Sequence, residues 1–290
     1  MRNHGRLPDA ARPGHPSHCS KELISLRLLG CWSLTVNRAP QQLPDMSRRL
    51  VAYLALLGPS GRHAVAGTLW PEMTEERACA SLRSALWRLR RAQPALLAAC
   101  DTELSLSPQV SVDFIRLMCE IRRILAGHLP LAGSAPPSHL TDGDLLPGWY
   151  DDWLLLERER LLQLRLHALE KLAAGLAISG RYAAALEAGL AAVRIEPVRE
   201  SAHRAVIQVH LAEGNLSEAL RHYDEYSRLL RAELGLAPSA HMRNMFPPPC
   251  RTRLLAARQP DAAPARQAHG ATSGPHDRGD APASYPPARR

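Results

Sequence analysis

Glu75-Glu76-Arg77-Ala78-Cys79-Ala80-Ser81-Leu82-Arg83-Ser84-Ala85-Leu86-Trp87-Arg88-Leu89-Arg90-Arg91-Ala92 reads as one amphipathic helix. Turned at about 100° per residue, it gathers Ala78, Leu82, Ala85, Leu86 and Leu89 on one face, the spacing of a buried stripe. Opposite them stand Arg77, Ser81, Ser84, Arg88 and Arg91, with Arg83 and Arg90 flanking. No acidic residue lies between 77 and 91, while Glu75 and Glu76 sit in the first turn, where the helix dipole favours negative charge. Such a helix fits the major groove of double-stranded DNA, with Arg and Ser reaching base edges and phosphates. An arginine stripe is equally the mark of a plain solvated face, so the neighbouring segments decide between the two. Trp87 is the odd residue on the polar side. It is expected under a following hairpin or against a neighbouring domain, the alternative being a contact to sugar or to a partner protein.

The segments on either side give this helix a setting. Leu23 to Val36 reads as two short strands separated near Gly30, with Leu26, Leu28, Trp32, Leu34 and Val36 in alternation. Met46 to Leu57 carries Leu50, Tyr53, Leu54 and Leu57 at helical spacing and stops at Gly58-Pro59; a second short helix spans His63 to Trp70 and ends before Pro71. After the arginine helix come Thr102 to Leu106, a turn at Ser107-Pro108-Gln109, and Val110 to Val112, which read together as a β-hairpin. Strands, three helices and a hairpin is the layout of a winged helix-turn-helix with an N-terminal sheet. In that layout the third helix enters the groove and the hairpin over 102–111 touches the adjacent backbone.

From residue 113 onward the pattern is almost wholly helical, and it repeats. Gly180-Arg181-Tyr182 recurs as Gly214-Asn215-Leu216, Ala185-Leu186 as Ala219-Leu220 and Leu172 as Val206, all at an offset of 34 residues. That period belongs to tetratricopeptide repeats, in which stacked helix pairs bury a face that one pair cannot bury alone. Two units are short of a free-standing stack, so helices near Phe114–Leu125 and Trp153–Leu169 are expected to complete it. The fold class is therefore mainly α with a small β component. The expected divisions are a disordered terminus over 1–21, the winged helix over 22–112, the repeat domain over 113–246 and a disordered Pro/Ala/Arg-rich tail over 247–290.

Charge agrees with this division of labour. Of 36 basic and 28 acidic residues, residues 21–112 hold 11 and 7, and residues 113–246 hold 15 and 17. The surplus thus lies with the arginine helix and the two ends, although only Lys21 and Lys171 are lysines, a codon bias that makes arginine abundance alone weak testimony. The six cysteines at 19, 31, 79, 100, 119 and 250 are scattered and read as free thiols of a reducing compartment. No apolar leader or span is visible, since the longest apolar run, Leu50 to Leu57, is far below the ~18 residues a membrane helix needs. These features place the chain in the cytoplasm, at the nucleoid, with no membrane partner.

Catalytic and cofactor signatures are missing: there is no G-x-G-x-x-G, Walker A loop, H-E-x-x-H or G-x-S-x-G. His15-x-x-His18-Cys19 could ligate a metal, but it lies in a basic, unstructured end. The carboxylates Asp142, Asp144, Asp151, Asp152, Glu157 and Glu159 are more simply helix-start residues than a catalytic cluster, Asp151 and Asp152 standing at the N-cap and first turn of the helix that holds Trp153. The reading is of a non-enzyme without cofactor or metal.

Several of these stretches resemble the Streptomyces antibiotic regulatory protein family, which joins an OmpR-type winged helix to a tetratricopeptide-like bacterial transcriptional activator domain. The likeness covers roughly residues 22–246. It rests on Leu28-Leu29-Gly30, Leu69-Trp70-Pro71 and Arg88-Leu89-Arg90-Arg91 in the first half. In the second half it rests on Leu145-Leu146-Pro147-Gly148-Trp149-Tyr150-Asp151-Asp152-Trp153, Glu157 to Leu161, Arg199 to His203, and Glu233 to Leu236 with Pro238-Ser239. The resemblance implies a sequence-specific activator that binds direct repeats near promoters as a homodimer or tandem pair and recruits RNA polymerase. It carries Arg88, Arg90 and Arg91 over as recognition-helix residues, while Ala80 and Ala85 depart from the larger polar residues of many members. The rival reading is a protein–protein adaptor whose winged helix binds a partner rather than DNA.

Overall fold

The computed structural model describes residues 23–98, 103–130, 140–141, 143–248 and 250. Residues 1–21 with His15, His18 and Cys19, together with Thr102, Asp142 and nearly all of the tail, lie outside them. Up to Ser239 the described residues fold as one unit.

Alternation in the first stretch produces the two strands it predicts, Ile24–Arg27 (β1) and Ser33–Val36 (β2), paired antiparallel with Leu26 opposite Leu34. A third, Ala39–Gln41 (β3), folds back on β2 through Asn37 and Arg38, whose φ values of 51° and 68° make a tight turn. Asn37 serves that turn well: its Oδ1 accepts a hydrogen bond from the Leu23 amide at 3.0 Å. Three helices follow. Asp45–Leu57 (α1) buries Leu50, Tyr53 and Leu54 of its expected stripe but leaves Leu57, its last residue, exposed. Arg62–Leu69 (α2) buries Val65, Ala66 and Leu69, and Glu75–Ala92 (α3) has the limits read from its sequence.

The hairpin expected over 102–112 does not form between the arms assigned to it. Val110–Val112 (β6) runs parallel to β1, completing a sheet of order β3-β2-β1-β6, while Glu103–Leu104 (β5) pairs with Ser60–Gly61 (β4) in a separate two-stranded ladder. The antiparallel partner of the 103–107 arm lies upstream instead. Leu97 bridges Leu106, the Ala98 amide donates to Ser105 O at 3.0 Å, and the Ser107 amide donates to Leu96 O at 2.8 Å. The wing is thus made by residues 96–98 and 103–107. The physical reason is burial: Val112 sits beside Leu26 in the sheet core, which the 103–107 arm does not offer it.

Asp113–Leu125 (α4) leaves the sheet directly and packs both on α1 and on the long helix Asp152–Ile178 (α5). The helix α5 outruns the expected Leu169 because Leu172, Ala173, Leu176 and Ala177 continue its buried stripe. Tyr182–Ile195 (α6), Glu200–Glu213 (α7) and Leu216–Leu234 (α8) follow in antiparallel succession. The 34-residue offset has a structural meaning. Gly180 and Gly214, at φ 73° and 89°, make the left-handed turns after α5 and α7, a conformation that costs other residues about 1 kcal/mol. The matched residues Leu172 and Val206, Ala185 and Ala219, are all buried. From Ala240 a separate unit begins, in which Ala240–Arg243 (α9) is one helical turn.

Candidate nucleic-acid interface

The helix-turn-helix is α2, a tight corner at residues 70–74, and α3. The corner closes with the Met73 amide donating to Trp70 O at 3.1 Å, and Trp70 is buried beneath it. On α3 the buried residues are Ala78, Leu82, Ala85, Leu86 and Leu89, the five that the wheel assigns to the core. Small Ala85 lets α1 come close, near enough for Ser47 Oγ to reach Ala85 O at 3.5 Å. In the first turn of α3 the Glu75 Oε1 lies 2.9 Å from His63 Nδ1 of α2, a contact between two exposed side chains.

The outward face carries Arg77, Arg83, Ser84, Arg88, Arg90 and Arg91, all exposed; Ser81 is half-buried, its hydroxyl 3.7 Å from Met73 Sδ. Among the described residues no carboxylate stands within ion-pairing distance of Arg77, Arg83, Arg88, Arg90 or Arg91. Five guanidinium groups therefore present their charge outward with no ion-pair partner among the described residues. The line diametrically opposite the buried stripe passes through Ala80, Ser84, Trp87 and Arg91, somewhat to the side of the line through Arg77, Ser81 and Arg88. Trp87 corrects its expectation: it packs neither under the wing nor against a neighbouring domain but stands 62% exposed. The Arg91 guanidinium carbon lies over its ring, 5.4 Å from the centroid. Beside it, Ala80, Ser81, Ser84, Ala85 and Arg88 with Met46 and Trp70 line a shallow depression of about 280 Å³.

How the repeats are joined to this helix was not legible from spacing, because the contacts link residues far apart in the chain. Residues 144–146 add an antiparallel bridge to the end of β1: the Gly30 amide donates to Asp144 O and the Leu146 amide to Leu28 O, both at 2.8 Å. Arg158 on α5 donates back to Leu145 O at 2.7 Å and to Leu146 O. Trp32 stacks on Trp149 at 5.8 Å, and Tyr53 of α1 meets Trp153 edge-on at 5.5 Å. Asp151 occupies the N-cap position of α5, yet its side chain makes no cap hydrogen bond; its carboxylate, 11% exposed, pairs with Arg49 of α1. Burial pulls the Arg49 guanidinium below its ordinary pKa. Beside this pair, α1, Pro71 and residues 148–153 line an open cavity of about 720 Å³.

Among the described residues no three His, Cys, Asp or Glu side chains are placed to hold a metal, and Cys31, Cys79, Cys119 and Cys250 are free thiols. No helix among them is long and apolar enough to cross a membrane.

Residues 139–247 match the family model of the bacterial transcriptional activator domain. Regulatory protein AfsR of Streptomyces coelicolor is 27% identical over 263 residues, an alignment that takes in 83% of this chain. The chain spans only about a quarter of that relative, 26% of its length. Among solved structures, Mycobacterium tuberculosis EmbR in complex with a low-affinity phosphopeptide superposes with a TM-score of 0.60 at 23% identity, covering 83% of this chain and 67% of EmbR. That likeness shows the fold, a winged helix followed by helical repeats. Residues 139–247 thus carry a bacterial transcriptional activator domain, and most of the chain is similar to a regulatory protein, AfsR.

Proposed function

We propose that this chain is a sequence-specific activator that inserts α3 into the major groove of double-stranded DNA. The observation that carries the reading is the row of five exposed arginines on α3 without a carboxylate partner among the described residues. Arg88, Arg90 and Arg91 reach base edges and phosphates; Arg77, Ser81, Arg83 and Ser84 complete the contact, and the wing arms at 96–98 and 103–107 bring the wing to the adjacent backbone. Guanidinium groups suit this task because their fork matches guanine O6 and N7 as well as phosphate oxygens. The resemblance to the Streptomyces antibiotic regulatory protein family implies the rest of the reading: binding to direct repeats near promoters as a homodimer or tandem pair, with RNA polymerase as the protein partner of the repeat domain. The chain acts without catalysis.

A gel shift on the chain's own upstream region across a salt series tests it. Binding that weakens as salt rises while keeping its sequence preference is the expected result. Absence of binding to any duplex at low salt overturns the reading and leaves the adaptor. Arg88→Ala should lower affinity about tenfold or more with an unchanged thermal melt, since the side chain is exposed. A lowered melting temperature would mark Arg88 as structural instead.

A further inference from the structure

We propose that Trp87 reads thymine in the major groove by packing its indole ring on the C5-methyl group. The proposal rests on α3 being the duplex-reading helix, and it adds a specificity-determining residue that an arginine-centred reading passes over. Position comes first. Trp87 lies on the line opposite the buried stripe, so on a helix lying in the groove it faces the floor, where base edges are, rather than the phosphate walls. Exposure is second: a 62% exposed indole adds little to the core of the folded chain, and large exposed aromatics are the side chains that gain most when an interface covers them. Orientation is third. Arg91, one turn on, stands over one ring face at 5.4 Å, a cation–π contact that favours one setting of the indole, whose ring makes no other aromatic or cation contact among the described residues. The preceding turns carry Ser84 and Ala80 on the same line, too short to screen the ring or to hold the helix off the bases. Chemistry then selects the target. The major groove offers acceptors at purine N7, guanine O6 and thymine O4, donors at the exocyclic amines, and one apolar group, the thymine methyl. Arginine and serine serve the polar groups; of the two apolar residues on this line, Ala80 and Trp87, the indole is the one long enough to reach from the helix and cover the methyl.

The test uses the full chain. Wild type and Trp87→Ala each select from a pool of randomised duplexes, and thymines of the selected site are then replaced singly by deoxyuracil, which removes only the methyl. Anisotropy titrations should show one thymine per half-site whose replacement weakens wild type about three- to fivefold, the worth of one buried methyl. Trp87→Ala should bind the thymine and deoxyuracil duplexes alike and select a degenerate base there, while Trp87→Phe keeps part of the preference. A thymine-to-deoxyuracil ratio unchanged in Trp87→Ala overturns the proposal. So does a loss that is uniform over selected and unrelated duplexes, which would make Trp87 a backbone contact. A wild-type site lacking any methyl-sensitive thymine sinks the Trp87 proposal alone. Failure of wild type to select any site removes the DNA reading as well, so the two failures are distinguishable.

Discussion

His203 and His222 face each other inside the repeats, and their hydrogen bonds fix their protonation. The Nε2 of His203 lies 2.8 Å from Pro197 O, which can only accept, so that nitrogen carries the proton and Nδ1 is left to accept from His222 Nε2 at 3.0 Å. Tyr226 stacks on His203 at 4.2 Å and donates its hydroxyl to Val198 O at 3.3 Å. Burial, helped by the Glu200 charge, pushes the phenol up to about 12. Burial lowers His203 too, and it brings His222 from 6.5 down to about 4, with charges on His203, His210 and Arg221 adding to the shift. A base whose pKa is lower folded than unfolded contributes stability that is complete above 6.5 and is lost as pH falls through about 4. The urea midpoint should therefore drop between these limits, and less steeply in His222→Gln. Parallel curves for the two proteins would show that this pair is not the source. Arg88 and Trp87 differ from these histidines in kind: both stand in solvent, so their substitution should register in binding and leave the fold intact.

Elements whose stabilising contacts repeat at a fixed local period were the legible ones. The limits of α3 follow from Glu75 and Glu76 at its positive end and from an unbroken stripe to Leu89, all written within 18 residues. The repeat was readable for the same reason, since Gly180 and Gly214 mark equivalent turns. Strand partners were not. Val110–Val112 alternates correctly, but its choice of β1 over the 103–107 arm depends on a sheet edge more than 80 residues upstream, with Ile24 paired to Val110. Residues 96–98, the true first arm of the wing, lack alternation and belong to an alanine-rich run. At the site the arginines were legible as a face; the outward position of Trp87 depended on where the buried stripe is centred. Packing between elements gives a sharper test. A Cβ on Gly189 of α6 would approach Val206 Cγ2 of α7 to 2.9 Å, whereas one on Gly67 of α2 meets nothing within 4 Å. Gly189→Ala should destabilise by about 1–3 kcal/mol through overpacking, and Gly67→Ala should stabilise by about 0.5–1 kcal/mol through helix propensity. Chemical denaturation that moved both midpoints in the same direction would contradict this account of the α6–α7 contact.

At the scale of the unit ending at Ser239, the segment from Asp144 to Trp153 ties the winged helix to the repeats by four different means. Backbone pairing joins Leu29 to Leu145, aromatic contacts join Trp32 to Trp149 and Tyr53 to Trp153, an ion pair joins Arg49 to Asp151, and Arg158 anchors the segment from the α5 side. Two of these ties land on α1, which also touches α3 through Ser47 and Ala85, so contact runs unbroken from the repeats to the arginine helix. Contact alone is not coupling; shared stability is what can be measured. Because the joint is largely buried, separating the winged helix from the repeats would expose Leu28, Leu29, Leu145 and Leu146 and strand a half-buried guanidinium opposite an empty position. The wild type should therefore unfold in one calorimetric transition, with tryptophan fluorescence and far-ultraviolet dichroism changing together. Arg49→Ala combined with Trp149→Ala removes the ion pair and one stack at the joint while leaving its buried leucines in place, and should weaken the joint enough to broaden or split the melt. Two transitions already present in the wild type would mean that the joint does not bind the parts into one cooperative body, and that a partner on the repeats would have no packed route to α3.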